Sequence, residues 1–339
     1  MHNFVTLNSI SKSDIVSAFA ELGRSMLHIP DHIIETAHVK NNWFTPENIQ
    51  KAAKGWNNAL QAESIENWLS TAANGDGSKK TGIIMAGNIP FVGLHDLLSV
   101  LGSGHTALAK LSSQDEVLMG HAILILTQAL PALGERIQIT ESLKGIDFLI
   151  ATGSNNSARY FEHYFSSIPR IIRKNRTSVA VLEGNETDEE LVALADDIYT
   201  YFGLGCRNVT HLLLPAQFEL KRLYEAYDKY IDIVHHHKYY NNYMYHKSIL
   251  LMNLTKHYDN GFMLFQEKEG LHAPIATLNY HYYDSAEAAR QYLETHQEEI
   301  QCVVAHKNIV AQGLPFGDAQ NPGLLDYADG VNTLEFLKG

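Results

Sequence analysis

The sequence predicts an α/β protein built on parallel strands with helices on both faces. Three observations carry that. Short apolar runs at Thr81–Ala86, His105–Leu111, Phe148–Thr152, Thr177–Leu182 and Val209–Leu214 alternate with helical segments. The loops after several of these runs are rich in Gly, Asn and Ser. The chain, at 339 residues and 45% hydrophobic, is long enough for two domains.

Taken in order, Ser13–Leu27 and Pro46–Thr71 place apolar residues at three-four spacing (Ile15, Phe19, Leu22; Ile49, Ala52, Trp56, Leu60) and read as helices. The turn cluster Asn74–Ser78 closes this region. Strands follow at Thr81–Ala86, His105–Leu111, Arg136–Thr140 and Phe148–Thr152, with helices over Val92–Leu101, Gln114–Leu130 and Asn155–Phe165. Ligands of such sheets sit at the carboxyl ends of the strands. The loops at Gly87–Pro90, Leu111–Gln114, Gly153–Asn156 and Glu183–Asn185 are therefore expected around one crevice. Beyond the strand at Thr177–Leu182, a helix is expected over Asp188–Phe202, a strand over Val209–Leu214 and a helix over Pro215–Val234. Ser248–Asn253, Met263–Gln266, Ile275–Tyr280 and Cys302–His306 read as strands, and Ser285–His296 as a helix. The run Val331–Leu337 reads as a terminal strand, an exposed edge unless a second subunit pairs with it.

Charge and composition narrow the function classes. Thirty-eight acidic against 26 basic residues give a net charge of −12, which favours neither nucleic acid nor an anionic membrane. Two cysteines far apart in sequence make no disulfide framework and no zinc motif. The first ten residues lack the basic-then-apolar pattern of a secretory leader, and Val117–Gly134 reads as a buried helix rather than a membrane span, so a cytoplasmic protein is expected. His235, His236 and His237 are consecutive, so they point in different directions. They read as a solvated helix end or a partner-facing surface, and no metal site is expected.

Cys206 is the most informative residue. It lies between Gly205 and Arg207, in the connection from a helix to a strand. Small neighbours expose the thiol and a cation favours its thiolate, the form that attacks carbonyl carbon. An ordinary buried cysteine fits the same local sequence.

Six segments in the same order resemble the aldehyde dehydrogenase superfamily. Gly87-Asn-Ile-Pro90 resembles its Asn-x-Pro loop, Lys110 its Lys-Pro-Ser ribose loop, and Thr152–Ser157 its Thr-Gly-Ser-x-x-Gly loop, with Ser157 in place of glycine. Leu182-Glu-Gly184 resembles its Glu-Leu-Gly-Gly loop, Cys206 falls at the nucleophile, and Leu314-Pro-Phe-Gly317 resembles its Pro-Phe-Gly-Gly segment. The context Gly-x-Gly-Cys-Arg-Asn-Val and the tail Asp326–Val331 are similar to the acyl-CoA reductase branch related to the fatty acid reductase of bacterial luminescence. This chain is shorter than typical members of that branch.

The resemblance implies an aldehyde-dehydrogenase-like fold. Residues 1–182 would carry the N-terminal helices and a doubly wound nucleotide-binding domain. Residues 183–315 would form the α/β catalytic domain, and 316–339 a tail with an oligomerisation strand. It implies reduction of an acyl-CoA or acyl-protein thioester to the aldehyde through an acyl-enzyme on Cys206. Asn88 and the Cys206 N–H would hold the oxyanion, and Glu183 would act as proton donor or orient the nicotinamide. Asn88 also fits as a plain turn residue before Pro90, and Glu183 as an exposed turn carboxylate. The cofactor would lie against Lys110, Ser112, Ser113, Gly153 and Ser154. NAD-preferring relatives carry a glutamate where this chain has Ser113, so NADPH is expected, with NADH as the lesser fit. A homodimer or higher homo-oligomer is expected, and an acyl-activating protein is a further expected partner. The alternatives are an NAD(P)-dependent dehydrogenase of a free aldehyde, a cysteine thioesterase or acyltransferase without nicotinamide, and a catalytically silent partner subunit.

Overall fold

The computed structural model of the chain describes residues 10–72 and 78–339. The expected turn cluster lies, apart from Ser78, outside the described residues. The chain divides into two compact units, Met1–Lys174 with Gly323–Gly339, and Asn175–Pro322.

The first unit begins with four helices, α1 (Lys12–Met26), α2 (Asp31–Lys40), α3 (Pro46–Ala59) and α4 (Ala62–Leu69). The Ser11 side chain accepts the Asp14 N–H and the Asp14 carboxylate accepts the Ser11 N–H, which fixes the start of α1. Phe19, Leu22 and Met26 then bury one face. The single helix expected over Pro46–Thr71 is two, broken at Leu60 and Gln61. There follow β1 (Lys80–Ile84), α5 (Leu94–Gly102), β2 (Thr106–Lys110), α6 (Glu116–Ala129), β3 (Ile137–Ile139), β4 (Phe148–Thr152), α7 (Asn155–Tyr164) and β5 (Arg170–Arg173). The strands form a parallel sheet in the order β3-β2-β1-β4-β5. After β3 the chain returns to the other side of β1. The strand order therefore reverses between β1 and β4, the switch point at which doubly wound sheets open a crevice.

The second unit contains β6 (Thr177–Val181), α8 (Asp188–Tyr199), β7 (Val209–Pro215), α9 (Lys221–Tyr227), α10 (His237–Met252), β8 (Tyr258–Asp259), β9 (Leu264–Glu267), β10 (Thr277–Tyr283), α11 (Ala286–Thr295) and β11 (Ile300–Val304). Its sheet runs β11-β6-β7-β10-β9-β8, parallel except for the β8–β9 pair. Because β6 pairs with β7 and β11, the boundary between units falls before it, at 174/175, not at 182. The strand expected over Ser248–Asn253 is the last part of α10, since a short apolar run does not by itself separate strand from helix. Tyr239 and Tyr243, one helical turn apart, are the buried residues of α10; their hydroxyls donate to the Phe262 carbonyl (2.9 Å) and the Asp259 carboxylate (2.7 Å).

The tail corrects a second expectation. Val331–Leu337 is not a strand: α12 (Thr333–Phe336) forms there, capped by Asn332, whose side chain accepts the Glu335 N–H at 3.0 Å. Thr333, Leu334 and Leu337 are buried, a helical spacing rather than an alternating one. The ring of Phe336 meets Phe148 edge-on at 5.6 Å. An oligomerisation strand in this segment is therefore excluded, and the tail instead closes its own unit.

Its anchor is a buried ion pair. Arg173, 4% exposed, donates to Asp96, 6% exposed, at 2.6 Å. The same guanidinium donates to the Ala328 carbonyl at 2.7 Å and to the Thr333 hydroxyl at 3.0 Å. Removing one member leaves the other charge buried and unpaired. Asp96→Ala is expected to cost about 3–5 kcal/mol in urea denaturation and to expose the tail to proteolysis. A loss under about 1 kcal/mol with an unchanged digestion pattern would contradict this anchor.

Candidate active site

In the first unit, the loops after β1, β2 and β4 lie on one edge of the sheet because the three strands are adjacent and parallel. Gly87 has a packing reason. A Cβ there would stand 2.5 Å from the Ser112 hydroxyl and 2.9 Å from Gln114, so only glycine lets the β1 and β2 loops meet. Asn88 follows on the exposed side. Phe91, at a φ of +60°, donates its N–H to the buried Asp115 at 2.9 Å, which holds the far end of this loop. Burial raises the Asp115 carboxyl well above the ordinary carboxylate range. Lys110 ends β2 and pairs with Glu141 at 3.1 Å; both are exposed, so the pair is weak. Ser112 is half-buried, its hydroxyl accepting the Gln114 N–H at 3.3 Å, and Ser113 is exposed.

The β4 loop runs directly into α7. A Cβ on Gly153 would stand 3.0 Å from Ser157, so glycine lets the turn lie flat on the helix. Ser154 caps α7, its hydroxyl accepting the Ser157 N–H at 3.3 Å. Ser157 stands where the resembled loop has glycine, and its hydroxyl lies 3.1 Å from that of Ser154. The first turn of α7 contains no acidic residue, so its dipole favours an anion there. Asn88, Lys110, Ser112, Ser113, Gly153 and Ser154 thus share the carboxyl edge of one sheet, while the Glu183–Asn185 loop expected with them belongs to the second unit.

In the second unit, α8 and its cap Thr200 are followed by three consecutive residues of left-handed backbone: Tyr201 (φ +55°), Phe202 (+59°) and Gly203 (+77°). For a non-glycine residue this conformation costs about 1–2 kcal/mol, and such strain concentrates at functional sites. Residues 205–208 then form a tight turn. The Asn208 N–H donates to the Gly205 carbonyl at 3.1 Å, and the Asn208 side-chain oxygen accepts the Gly205 N–H at 2.8 Å. Cys206 and Arg207 occupy the tip. Cys206 is partly exposed, its carbonyl accepting the Ser178 hydroxyl at 3.1 Å. The Arg207 guanidinium donates to the Ala319 carbonyl.

The Pro-Phe-Gly segment reaches the same region. Asp197, fully buried on α8, accepts the Gly317 N–H at 2.7 Å and the Ala319 N–H at 2.9 Å. Burial pushes its carboxyl up to about 7, against the pull of those two bonds. The structure therefore joins two of the segments picked from sequence, the Cys206 turn and Leu314–Gly317, through residues the sequence reading passed over. The second cysteine is also close. The Cys302 sulfur lies 3.1 Å from the Ser178 hydroxyl, the same group that bonds the Cys206 carbonyl.

Glu183 is a correction. It follows β6 at the carboxyl edge of the second sheet, where a Cβ on its neighbour Gly184 would meet Pro215 at the end of β7. Cys206 precedes the start of β7, at the opposite edge. The seven residues of β7 separate them by on the order of 20 Å. Glu183 cannot give a proton to a group on Cys206. It belongs instead to a cluster that the sequence did not show. His306 lies 2.9 Å from Glu183 and 2.7 Å from Glu190, and Asn308 donates to Glu183 at 2.9 Å. A cavity of about 320 Å³ lies beside it, lined in part by Ala193, His306, Pro315 and Phe316.

The histidine run diverges as its spacing implies: His235 approaches Asp232 at 3.5 Å, while His236 caps α10 by accepting the Tyr239 N–H at 3.2 Å. His211, close to Cys206 in sequence, directs its two ring nitrogens to the Gly270 carbonyl (3.2 Å) and His281 (2.8 Å). Burial pushes its imidazole down to about 3, which suits a satisfied core histidine rather than a base.

No family model matches the chain, and no curated protein matches it. Solved structures do. A Mycobacterium tuberculosis aldehyde dehydrogenase complexed with NAD+ superposes at a TM-score of 0.66 with 12% identity, covering 92% of this chain and 78% of that one. Aldehyde dehydrogenase 21 from Physcomitrella patens, in complex with succinate, gives 0.64 with 9% identity over 90% of this chain and 76% of its own. A propionaldehyde dehydrogenase from a Clostridium phytofermentans fucose-utilisation microcompartment gives 0.60 with 10% identity over 93% and 82%. The chain has the aldehyde dehydrogenase fold. Identity this low makes the likeness one of fold, on which function must be argued from the site. Among the described residues, no helix of this aldehyde-dehydrogenase-like chain is long and apolar enough to cross a membrane.

The His306 cluster makes a pH prediction. Its bonds to Glu190 and Glu183 raise the imidazole above its ordinary value. A raised histidine contributes stability fully present below its unfolded value and lost as pH rises through the folded one. His306→Gln is therefore expected to destabilise the chain more at about pH 6 than at about pH 9 in paired urea titrations. An equal loss at both would remove the ion pairs from the account.

Proposed function

We propose that the chain reduces an acyl thioester to an aldehyde through a covalent acyl-enzyme on Cys206. The supporting observation is a partly exposed thiol at the tip of a doubly closed turn, preceded by strained backbone, within a fold shared with aldehyde dehydrogenases. The Cys206 thiolate attacks the thioester carbonyl, the carbon–sulfur bond of the substrate breaks, and the CoA or carrier thiol leaves. The Cys206 N–H is the proposed donor to the oxyanion, and one such donor is worth about 3–4 kcal/mol.

The first unit has the features of a dinucleotide site. Gly87 and Gly153 keep the loops low, α7 offers its N-terminus to a phosphate, and Lys110, Ser112 and Ser113 stand at the end of β2. A bound nicotinamide supplies the hydride equivalent that reduces the acyl-enzyme. Ser113 brings no carboxylate to the ribose, and Lys110 needs only to exchange its exposed partner Glu141 for a 2′-phosphate. NADPH is thus the preferred cofactor, with NADH as the second.

The position of Glu183 bears on the alternative, dehydrogenation of a free aldehyde to the acid. That reaction ends by activating water at the acyl-enzyme, and Glu183, the carboxylate of the resembled loop, lies at the opposite edge of the sheet from Cys206. Thioester reduction needs no such water.

The test is to mix the protein with acyl-CoA of several chain lengths and NADPH, and to follow nicotinamide absorbance and free thiol together. Equimolar loss of NADPH and release of CoA is expected. Cys206→Ala should abolish both. CoA release without NADPH loss would replace the proposal with a thioesterase. Activity confined to a free aldehyde with NAD(P)+ would replace it with a dehydrogenase.

A further inference from the structure

The geometry points to Asn208 as the positioning residue of the nucleophile, setting the conformation of the turn that carries Cys206. The inference rests on the proposed role of Cys206 and adds a residue that carries no part in the chemistry itself. Asn208 is fully buried, and its whole amide is used. The oxygen accepts the Gly205 N–H at 2.8 Å. The two hydrogens of the nitrogen are shared among the carbonyls of Asp197 (3.1 Å), Ile198 (3.2 Å) and Thr200 (2.8 Å).

These acceptors have a common origin. The last carbonyls of a helix have no partner within it. Here α8 is followed by left-handed backbone, and Asn208 supplies donors from the strand side. One side chain therefore joins the end of the helix to the residue before the thiol, and its own N–H closes the turn from the other end. Asparagine alone among common side chains offers a short acceptor and a paired donor together. Aspartate would set a charge against three carbonyl oxygens.

Ser178 fixes the remaining side. Its hydroxyl donates to the Cys206 carbonyl at 3.1 Å and accepts the Cys302 N–H at 3.3 Å. The β6 ladders to β7 and to β11 both shift register near this residue. Register shifts of this kind re-aim groups beside functional sites. Cys206 is thus held through the residue before it, through its own carbonyl, and through Arg207 at Ala319. Misplacement of a nucleophile by about 1 Å can cost about 10²-fold in rate.

The test uses the full chain with Cys302→Ser, which leaves Cys206 as the sole thiol. Cys206 is alkylated with a bromomethyl trifluoromethyl ketone, the thiolate displacing bromide, and its ¹⁹F spectrum recorded, and single-turnover CoA release is measured on unlabelled protein. With Asn208 present, one narrow ¹⁹F line is expected. Asn208→Ala should broaden or split it and slow CoA release about tenfold or more, with the KM for acyl-CoA within about twofold. Asn208→Asp, which keeps the acceptor for Gly205, serves where the alanine variant does not fold, and the same changes are expected of it. Asn279→Ala is the structural control. Asn279 is equally buried and bonds the Gly270 and His272 carbonyls at 2.7 and 3.2 Å, so its loss should lower stability yet leave the line narrow. An unchanged line and rate without Asn208, or the same change from Asn279→Ala, overturns the inference. Failure of the parent protein to release CoA overturns the proposed function instead, and the ¹⁹F lines then decide the positioning role alone.

Discussion

The second unit depends on how the end of α8 is satisfied. A buried helix terminus with unpartnered carbonyls would cost about 1–3 kcal/mol for each group. Asn208 meets that demand from across the turn, and Asp197 uses its side chain to fasten the Gly317–Ala319 backbone to the same stretch of helix. A nucleophile, a helix end and a distant loop are thereby set by two adjoining polar side chains. The left-handed residues Tyr201 and Phe202 persist because the bonds around them leave the chain no relaxed alternative.

The first unit solves a different problem with the same means. Its last strand ends in Arg173, a buried cation. Asp96, Thr333 and the Ala328 carbonyl surround the guanidinium, so the final residues become part of a core laid down far earlier in the chain. A tail fastened in this way is not offered as a free edge, which removes the reason for reading it as a pairing strand.

Much of the architecture was legible because period and position agreed. Phe148–Thr152 reads as a strand and is one, paired along both edges by β1 and β5 and buried over Phe148–Ala151. The loops at Gly87 and Gly153 were picked out because each follows a parallel strand, and the structure gives both glycines a close-packing reason. Three features were not legible, each for a physical reason. Val331–Leu337 reads as a short apolar strand, but its burial follows the Arg173 anchor, a contact across 160 residues. Glu183 matched a motif by spelling, yet it follows β6 while Cys206 precedes the parallel strand β7, which sets the two at opposite edges of the sheet. Asn208 was read only as context for the cysteine, because its acceptors are determined by where α8 stops.

The most direct measurement is the site of acylation. The protein is mixed with excess acyl-CoA in the absence of nicotinamide, quenched, digested, and its peptides are weighed by mass spectrometry. A single acyl group on the peptide containing Cys206, formed in step with one equivalent of CoA, is the expected result. An acyl group on the Cys302 peptide, or no adduct on either thiol, would contradict the account.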